Sequence, residues 1–194
     1  MILTDIEILT KIQNKEINIT PTPKTEQIQP ASIDLRLSNE FLQPIYGTEV
    51  DTKNSSPKYE YITTNRMTLP PHSFLLASTK ENITIPSNMI ARVEGRSSIG
   101  RLGVTIHVTA GFIDPGFEGN ITLEIANLSN TNVILYEDMR ICQIVFEELT
   151  STPEKVYGEC GNKYQNQRGV TGSMLFYEQN QKWGEVNGKN NPQS

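Results

Sequence analysis

The chain predicts an all-β fold, a sandwich or barrel. Short β-branched and aliphatic runs recur with a period of two, and clusters of Pro, Gly and Asn punctuate them. The runs fall at 32–37, 73–79, 89–94, 104–108, 121–125 and 141–146. Only the first stretch has a different period. There Thr4 and Glu7 form a capping-box pattern and Ile2, Ile6 and Leu9 fall on one helical face, so a short amphipathic N-terminal helix is predicted. Residues 52–64 are polar and irregular and read as an excursion between strands. From about Gln179 apolar periodicity is lost, with Trp183 the one exception, so 1–178 reads as a single domain and 179–194 as a disordered tail.

Composition narrows the function without choosing it. The 194 residues suffice for one buried core, but a hydrophobic content of 36% is modest, and a trimer would help complete that core. A net charge of −5 disfavours a protein that neutralises many nucleic-acid phosphates and leaves a free nucleotide as the more natural anionic ligand. Two cysteines, Cys142 and Cys160, do not make a disulfide framework, which fits a reducing cytoplasm. The N-terminus carries acids within its apolar run and shows no basic leader or cleavage site. No segment approaches membrane-spanning length, so no membrane partner is expected.

The chemistry concentrates in residues 94–127. In the strand predicted over 120–126, Ile121, Leu123 and Ile125 take one face and Thr122, Glu124 and Ala126 the other. Glu124 therefore either sits at a solvated surface with a cross-strand partner or lines a polar pocket. Asp114 lies ten positions earlier, in Gly111-Phe112-Ile113-Asp114-Pro115-Gly116-Phe117-Glu118-Gly119. That run reads as a β-hairpin turn, where Asp114 caps the turn or stands at its mouth. Upstream, Gly95-Arg96-Ser97-Ser98-Ile99-Gly100-Arg101 offers a polyphosphate glycine backbone, two hydroxyls and two guanidiniums. A short helical turn beginning near Ser97 or Ser98 would add free N–H groups, while the alternative is an ordinary Ser/Gly turn with surface arginines.

These segments resemble the superfamily that contains dUTPase and dCTP deaminase, and the match covers most of the chain. Pro30-Ala31-Ser32-Ile33-Asp34-Leu35-Arg36-Leu37 is similar to its first motif, 95–101 to the second and 109–124 to the third. Met139-Arg140-Ile141-Cys142-Gln143 is similar to the fourth. Lys163-Tyr164-Gln165-Asn166-Gln167-Arg168-Gly169 resembles the segment that closes over bound nucleotide, about 157–173 here. Five motifs in order make coincidence improbable. The resemblance implies a dUTPase-like distorted jelly-roll β-barrel, with a short N-terminal helix and a C-terminal closing segment, assembled as a homotrimer with active sites at subunit interfaces. Gly-Arg-Ser-Ser and the Thr-Leu-Glu strand look like dCTP deaminase. Gly111-Phe112, where strictly deaminating members carry a His-Arg pair, looks like the bifunctional enzymes that release dUMP. A deaminase that stops at dUTP and a nucleotide-binding regulator without turnover are the alternatives.

Hydrolytic deamination needs water activated toward C4 of cytosine, a proton at N3 and help for departing ammonia, and a partly buried carboxylate can shuttle these protons. The resemblance gives that part to Glu124, with Ser97, Arg101 and the backbone around Thr109 and Ala110 positioning the water. A zinc hydroxide does not suit this chain. Its only Cys are Cys142 and Cys160, its only His are His72 and His107, and none has ligand spacing. Asp114 is implied to hold the 3′-hydroxyl and to direct a second water at the α-phosphorus, releasing pyrophosphate. Mg²⁺ would be held by the triphosphate and water, with no protein metal ligand. Similarity also puts Arg96, Ser97 and Ser98 on phosphates, with Ile99, Gly100 and Arg101 among the substrate contacts, and Thr122, Leu123 and Glu124 along the base. Gln143, Tyr157, Lys163 and Gln167 complete the nucleotide contacts. Each has a plainer reading: Arg101 in an ion pair with Glu94 or Glu118, Gln143 as a strand-edge residue, Tyr157 in packing, Lys163 as solvated charge. The implied substrates are dCTP and dUTP, with dTTP as an inhibitor in the same pocket.

Overall fold

A computed structural model describes residues 1–159 and 161–179. Cys160 and residues 180–194 of the tail expected at 179–194 lie outside the described residues, while Gln179 itself ends a helix, Leu175–Gln179, rather than belonging to a disordered tail. The elements run α1 (Asp5–Gln13), β1 (Asn18–Thr20), β2 (Ile28–Gln29), β3 (Ser32–Pro44), β4 (Tyr59–Thr63), β5 (Arg66–Leu69), β6 (Phe74–Thr84) and β7 (Met89–Gly95). There follow α2 (Ser97–Gly100), β8 (Val104–Thr105), β9 (Phe112–Ile113), β10 (Glu118–Asn127), β11 (Val133–Tyr136), β12 (Arg140–Glu148) and α3 (Leu175–Gln179).

The long strand β3 organises the fold. Its first half pairs with β12, Asp34 opposite Gln143 and Ile33 opposite Ile144, and β12 continues to β7 and β9. Its second half pairs with β6 and β4, and β6 continues to β10 and β8. A register shift between Leu37 and Phe41 lets this one strand serve both sheets, the usual way a corner is turned. The sheets therefore curl into the dUTPase-like jelly roll that the sequence implies, and β5 with β11 forms a separate ribbon.

Period-two patterning fills the interior. Along β10, Ile121, Leu123 and Ile125 are buried while Thr122 and Glu124 are half-exposed on the other face. Ile33, Leu35 and Leu37 of β3, Val93 of β7 and Ile144 and Phe146 of β12 meet them in one core. Each such side chain contributes roughly 1.5–3 kcal/mol by leaving water. One buried carboxylate, Glu81, is fully partnered: it accepts from the Arg36 backbone N–H, Arg36 Nε and Gln27 Nε2.

Four local expectations are corrected. The Glu7 carboxylate accepts from both the backbone N–H and the hydroxyl of Thr4, so α1 starts where its cap requires. Its inward side chain, however, is Ile8, with Leu3 buried just ahead, whereas Ile2, Ile6 and Leu9 face outward. A nine-residue helix can bury a narrow stripe, and two adjacent stripes satisfy the same periodicity. The excursion at 52–64 contains β4, held by the edge of β3 despite its polar composition. The run at 104–108 stops pairing after Thr105, and the chain instead crosses the face of β10. Finally, 111–119 is not a hairpin. Asp114-Pro115-Gly116-Phe117 does turn, with Gly116 at φ +86° and the Phe117 N–H on the Asp114 carbonyl, but β9 pairs with β7 and β10 with β6. The turn joins two sheets, which carries Asp114 toward the outer face of β10.

Candidate active site

A cavity of about 390 Å³ opens over that outer face, and both Glu124 and Asp114 line it. Thr122, Tyr157 and Gln167 line it too, as do Tyr59, Phe112, Phe117 and Tyr164. Its size, with several aromatic side chains in its wall, suits a small heterocycle with its sugar.

Glu124 reaches the cavity because it alternates with buried Leu123 and Ile125. Its cross-strand neighbour is Leu76, so no cation pairs with it there. Instead the crossing loop donates two backbone N–H groups, from Val108 at 2.8 Å and Thr109 at 3.2 Å, both to Oε2. Among the described residues Oε1 has no hydrogen bond, so one oxygen is anchored and the other is available. The same loop brings Ala110 to the cavity wall. Asp114 is exposed, and among the described residues its carboxylate makes no Asx hydrogen bond to the turn it begins.

The far wall belongs to the C-terminal segment. Gln167 bridges Gly119 in parallel, its Nε2 donates to the Asn120 carbonyl at 2.5 Å, and the Thr171 N–H donates to the Thr122 hydroxyl. Gln167 Oε1 is buried with no partner among the described residues, an acceptor that a ligand donor would satisfy. Tyr157 packs edge-to-face on Phe117 with centroids 5.7 Å apart, and burial pushes its phenol above the ordinary tyrosine value. Packing and cavity lining coexist at this residue.

The remaining candidates lie elsewhere in the chain. Ile99 and Leu123 are buried, so neither offers a side chain to this cavity. Arg96, Ser97, Ser98, Gly100 and Arg101 sit on and around the one-turn helix α2. Ser97, Ser98 and Arg101 are exposed there. Among the described residues Arg101 forms no ion pair: Glu118 is taken by Arg168, and Glu94 does not bind Arg101. Gln143 faces Asp34 across β3 and β12, with Ser32 Oγ 3.4 Å from its Oε1. Arg96 Nε contacts that same Asp34 at 3.2 Å, so the structure brings Arg96 and Gln143 together at Asp34 beside the β3–β12 pair, and Glu124 and Asp114 together at the cavity over β10. Lys163 stands apart, ion-paired with Glu178 of α3.

Sequence reasoning missed the aromatic wall of Tyr59 and Tyr164 and the Asp34–Arg140 contact at 3.2 Å. Nothing local marks a distant tyrosine as a wall residue, although Asp34 stood inside a recognised motif. Cys142 is fully buried, and burial pushes its thiol far above the ordinary value, so it is no nucleophile. Among the described residues no group of three or more His, Cys, Asp or Glu side chains could hold a metal ion, and no helix is long and apolar enough to cross a membrane.

Comparison with known proteins points the same way. A family model described as dCTP deaminase-like matches residues 2–149. A "dCTP deaminase, dUMP-forming" of Methanosphaera stadtmanae is 46% identical over 186 residues, covering 90% of this chain and 93% of the relative. Its namesake in Methanothermobacter thermautotrophicus is 48% identical over 165 residues, covering 81% and 84%. Among solved structures, the 2′-deoxycytidine 5′-triphosphate deaminase of Agrobacterium tumefaciens superposes with a TM-score of 0.62 at 21% identity. It covers 76% of this chain, which in turn spans about half, 47%, of that one, a likeness of fold.

Proposed function

The chain belongs to the dCTP deaminase-like family, and on that premise we propose that it is a hydrolase that converts dCTP and two waters to dUMP, ammonia and pyrophosphate. The observation that carries the reading is the shared cavity of Glu124 and Asp114. Glu124, anchored through Oε2, takes a proton from water attacking C4, delivers it to N3 and assists ammonia as it leaves. The loop at Thr109 and Ala110, with Ser97 and Arg101, orients that water. Asp114 holds the 3′-hydroxyl and then directs a second water to the α-phosphorus, breaking its bond to the β-phosphate oxygen. Thr122 and the backbone at Leu123 lie along the base, with Tyr157 and Gln167 over the nucleotide.

The guanidiniums and hydroxyls of 96–101, with Ile99 and Gly100 contributing backbone, are assigned to the triphosphate together with Gln143 and Lys163. Because these groups lie off the cavity of their own chain, we assign them to the cavity of a neighbouring copy in a homotrimer. Exposed Leu102 (52%), Val108 (55%), Phe112 (58%) and Leu128 (69%), close to the cavity and β8, support a subunit contact there. Donors of this kind match phosphate oxygens rather than a cation, so Mg²⁺ fits as an ion bound by the triphosphate and water. Bound there, the ion would supply positive charge that neutralises the phosphates. Sharing the deoxyribose and triphosphate, dTTP would compete for the same cavity. Residues 1–178 are taken as one catalytic unit, with 157–173 as its closing segment.

Gly111 supports release of dUMP over a deaminase that stops at dUTP. A Cβ there would meet the Val93 carbonyl at 2.8 Å and the His107 ring at 3.2 Å, so the larger residue of strict deaminases does not fit this loop as it stands. Incubation with dCTP should give dUMP, ammonia and pyrophosphate in equal amounts. Accumulating dUTP, with added dUTP left uncleaved, would refute the second step.

Glu178 gives a smaller test. Its carboxylate occupies Lys163 across a partly exposed ion pair, so a phosphate must displace it. Glu178→Gln should tighten dCTP binding by roughly two- to fivefold, the worth of one surface pair, as read by calorimetric titration.

A further inference from the structure

Asp34 is 2% exposed and takes no part in the mechanism above. Its surroundings are built around its charge: Arg96 Nε and Arg140 Nη1 each stand 3.2 Å from Oδ2. The arginines are themselves tied, Arg96 Nη1 donating to the Arg140 carbonyl at 2.9 Å and Arg140 Nη1 donating to the Glu26 carbonyl. Burial raises the Asp34 carboxyl above its ordinary value and both guanidiniums pull it back, so this ion is expensive to hold and is held by its partners.

The arrangement matters because of what remains of Arg96. Two of its nitrogens are fixed and the third, Nη2, has no partner among the described residues, on a side chain 26% exposed. Directly beyond it begins α2, whose Ser97 and Ser98 are exposed. An arginine on a free stem would have to lose its rotamer entropy when it meets a phosphate, and one already clamped does not.

We infer that Asp34 is a positioning residue for triphosphate binding, one that clamps the Arg96 guanidinium with one nitrogen directed outward before the nucleotide arrives. The inference rests on Arg96 being a phosphate contact. It adds that dCTP affinity depends on a buried carboxylate the nucleotide never touches. Gln143, directly opposite Asp34 across the ladder, places a third polar group beside the pair.

The test compares dCTP deamination by wild type, Asp34→Asn, Arg96→Ala and the double variant. Asp34→Asn should raise KM about tenfold with kcat nearly unchanged, and the double variant should be no worse than Arg96→Ala alone, since both changes remove one unit. An unchanged KM in Asp34→Asn, or effects that multiply, would overturn the inference. An unchanged KM in Arg96→Ala would instead overturn the phosphate assignment beneath it. A measurement on the unaltered protein keeps the idea open to refutation whatever Asp34→Asn does to folding. In protein labelled with ¹⁵N-arginine, and without nucleotide, the Arg96 Nε–H, assigned by its loss in Arg96→Ala, should be ordered and slow to exchange. Exchange as fast as that of exposed Arg101 would mean no clamp exists.

Discussion

Glu124→Gln is expected to lower ammonia release from dCTP by about 10²- to 10⁴-fold, the range a positioned proton shuttle supplies. It should leave dCTP binding within a few-fold of wild type. The separation follows from how the side chain is held. Gln keeps the length of Glu and presents an amide oxygen that can still accept from the Val108 and Thr109 N–H groups, so the crossing loop keeps its anchor. What disappears is a group that can accept a proton from water and return it to the ring. Cleavage of added dUTP should persist, because that water is assigned to Asp114, which the substitution does not touch. Ammonia release, dUMP formation from dUTP and calorimetric binding of dCTP separate the outcomes. Equal loss of binding and turnover would make the residue structural, and deamination within tenfold of wild type would remove it from the chemistry.

How much of this could be read beforehand depends on whether the signal was local. Alternation along 120–126 set Glu124 against Leu123 and Ile125 correctly, because strand geometry fixes side-chain direction within the strand itself. The Pro-Gly turn was equally legible, since Gly116 adopts the positive φ such a turn demands. Its consequence was not: whether β9 pairs with β10 or β7 is decided by distant partners, and so the hairpin reading failed. Ile2, Ile6 and Leu9 failed for the same reason, as two stripes satisfy one periodicity and only the packed core selects Leu3 and Ile8. Five spaced motifs carried the family, but a motif order gives no distances. Nothing in the linear text separates Arg96 and Gln143, gathered at Asp34, from Glu124 and Asp114, gathered at the cavity.

That separation yields the second large effect. If one copy supplies the cavity and its neighbour the phosphate cations, two dead variants should restore each other when co-assembled. Arg101→Ala is the suitable partner for Glu124→Gln: Arg101 is exposed and, among the described residues, forms no ion pair, so its removal should leave the fold intact. Losing this charge beside developing negative charge should cost about 10²- to 10³-fold in turnover by itself. In a random one-to-one co-assembly a competent site needs its cavity from an Arg101→Ala copy and its cations from a Glu124→Gln copy. Roughly a quarter of sites in a closed, symmetric ring meet that condition. Co-expression should therefore recover about a quarter of wild-type dCTP turnover, far above either parent, whereas mixing the purified proteins without subunit exchange should recover none. A site complete within one chain predicts no recovery under either protocol. Co-assembled protein that stays as inactive as its parents, with mixed composition verified by mass spectrometry, would show that both groups must come from the same copy.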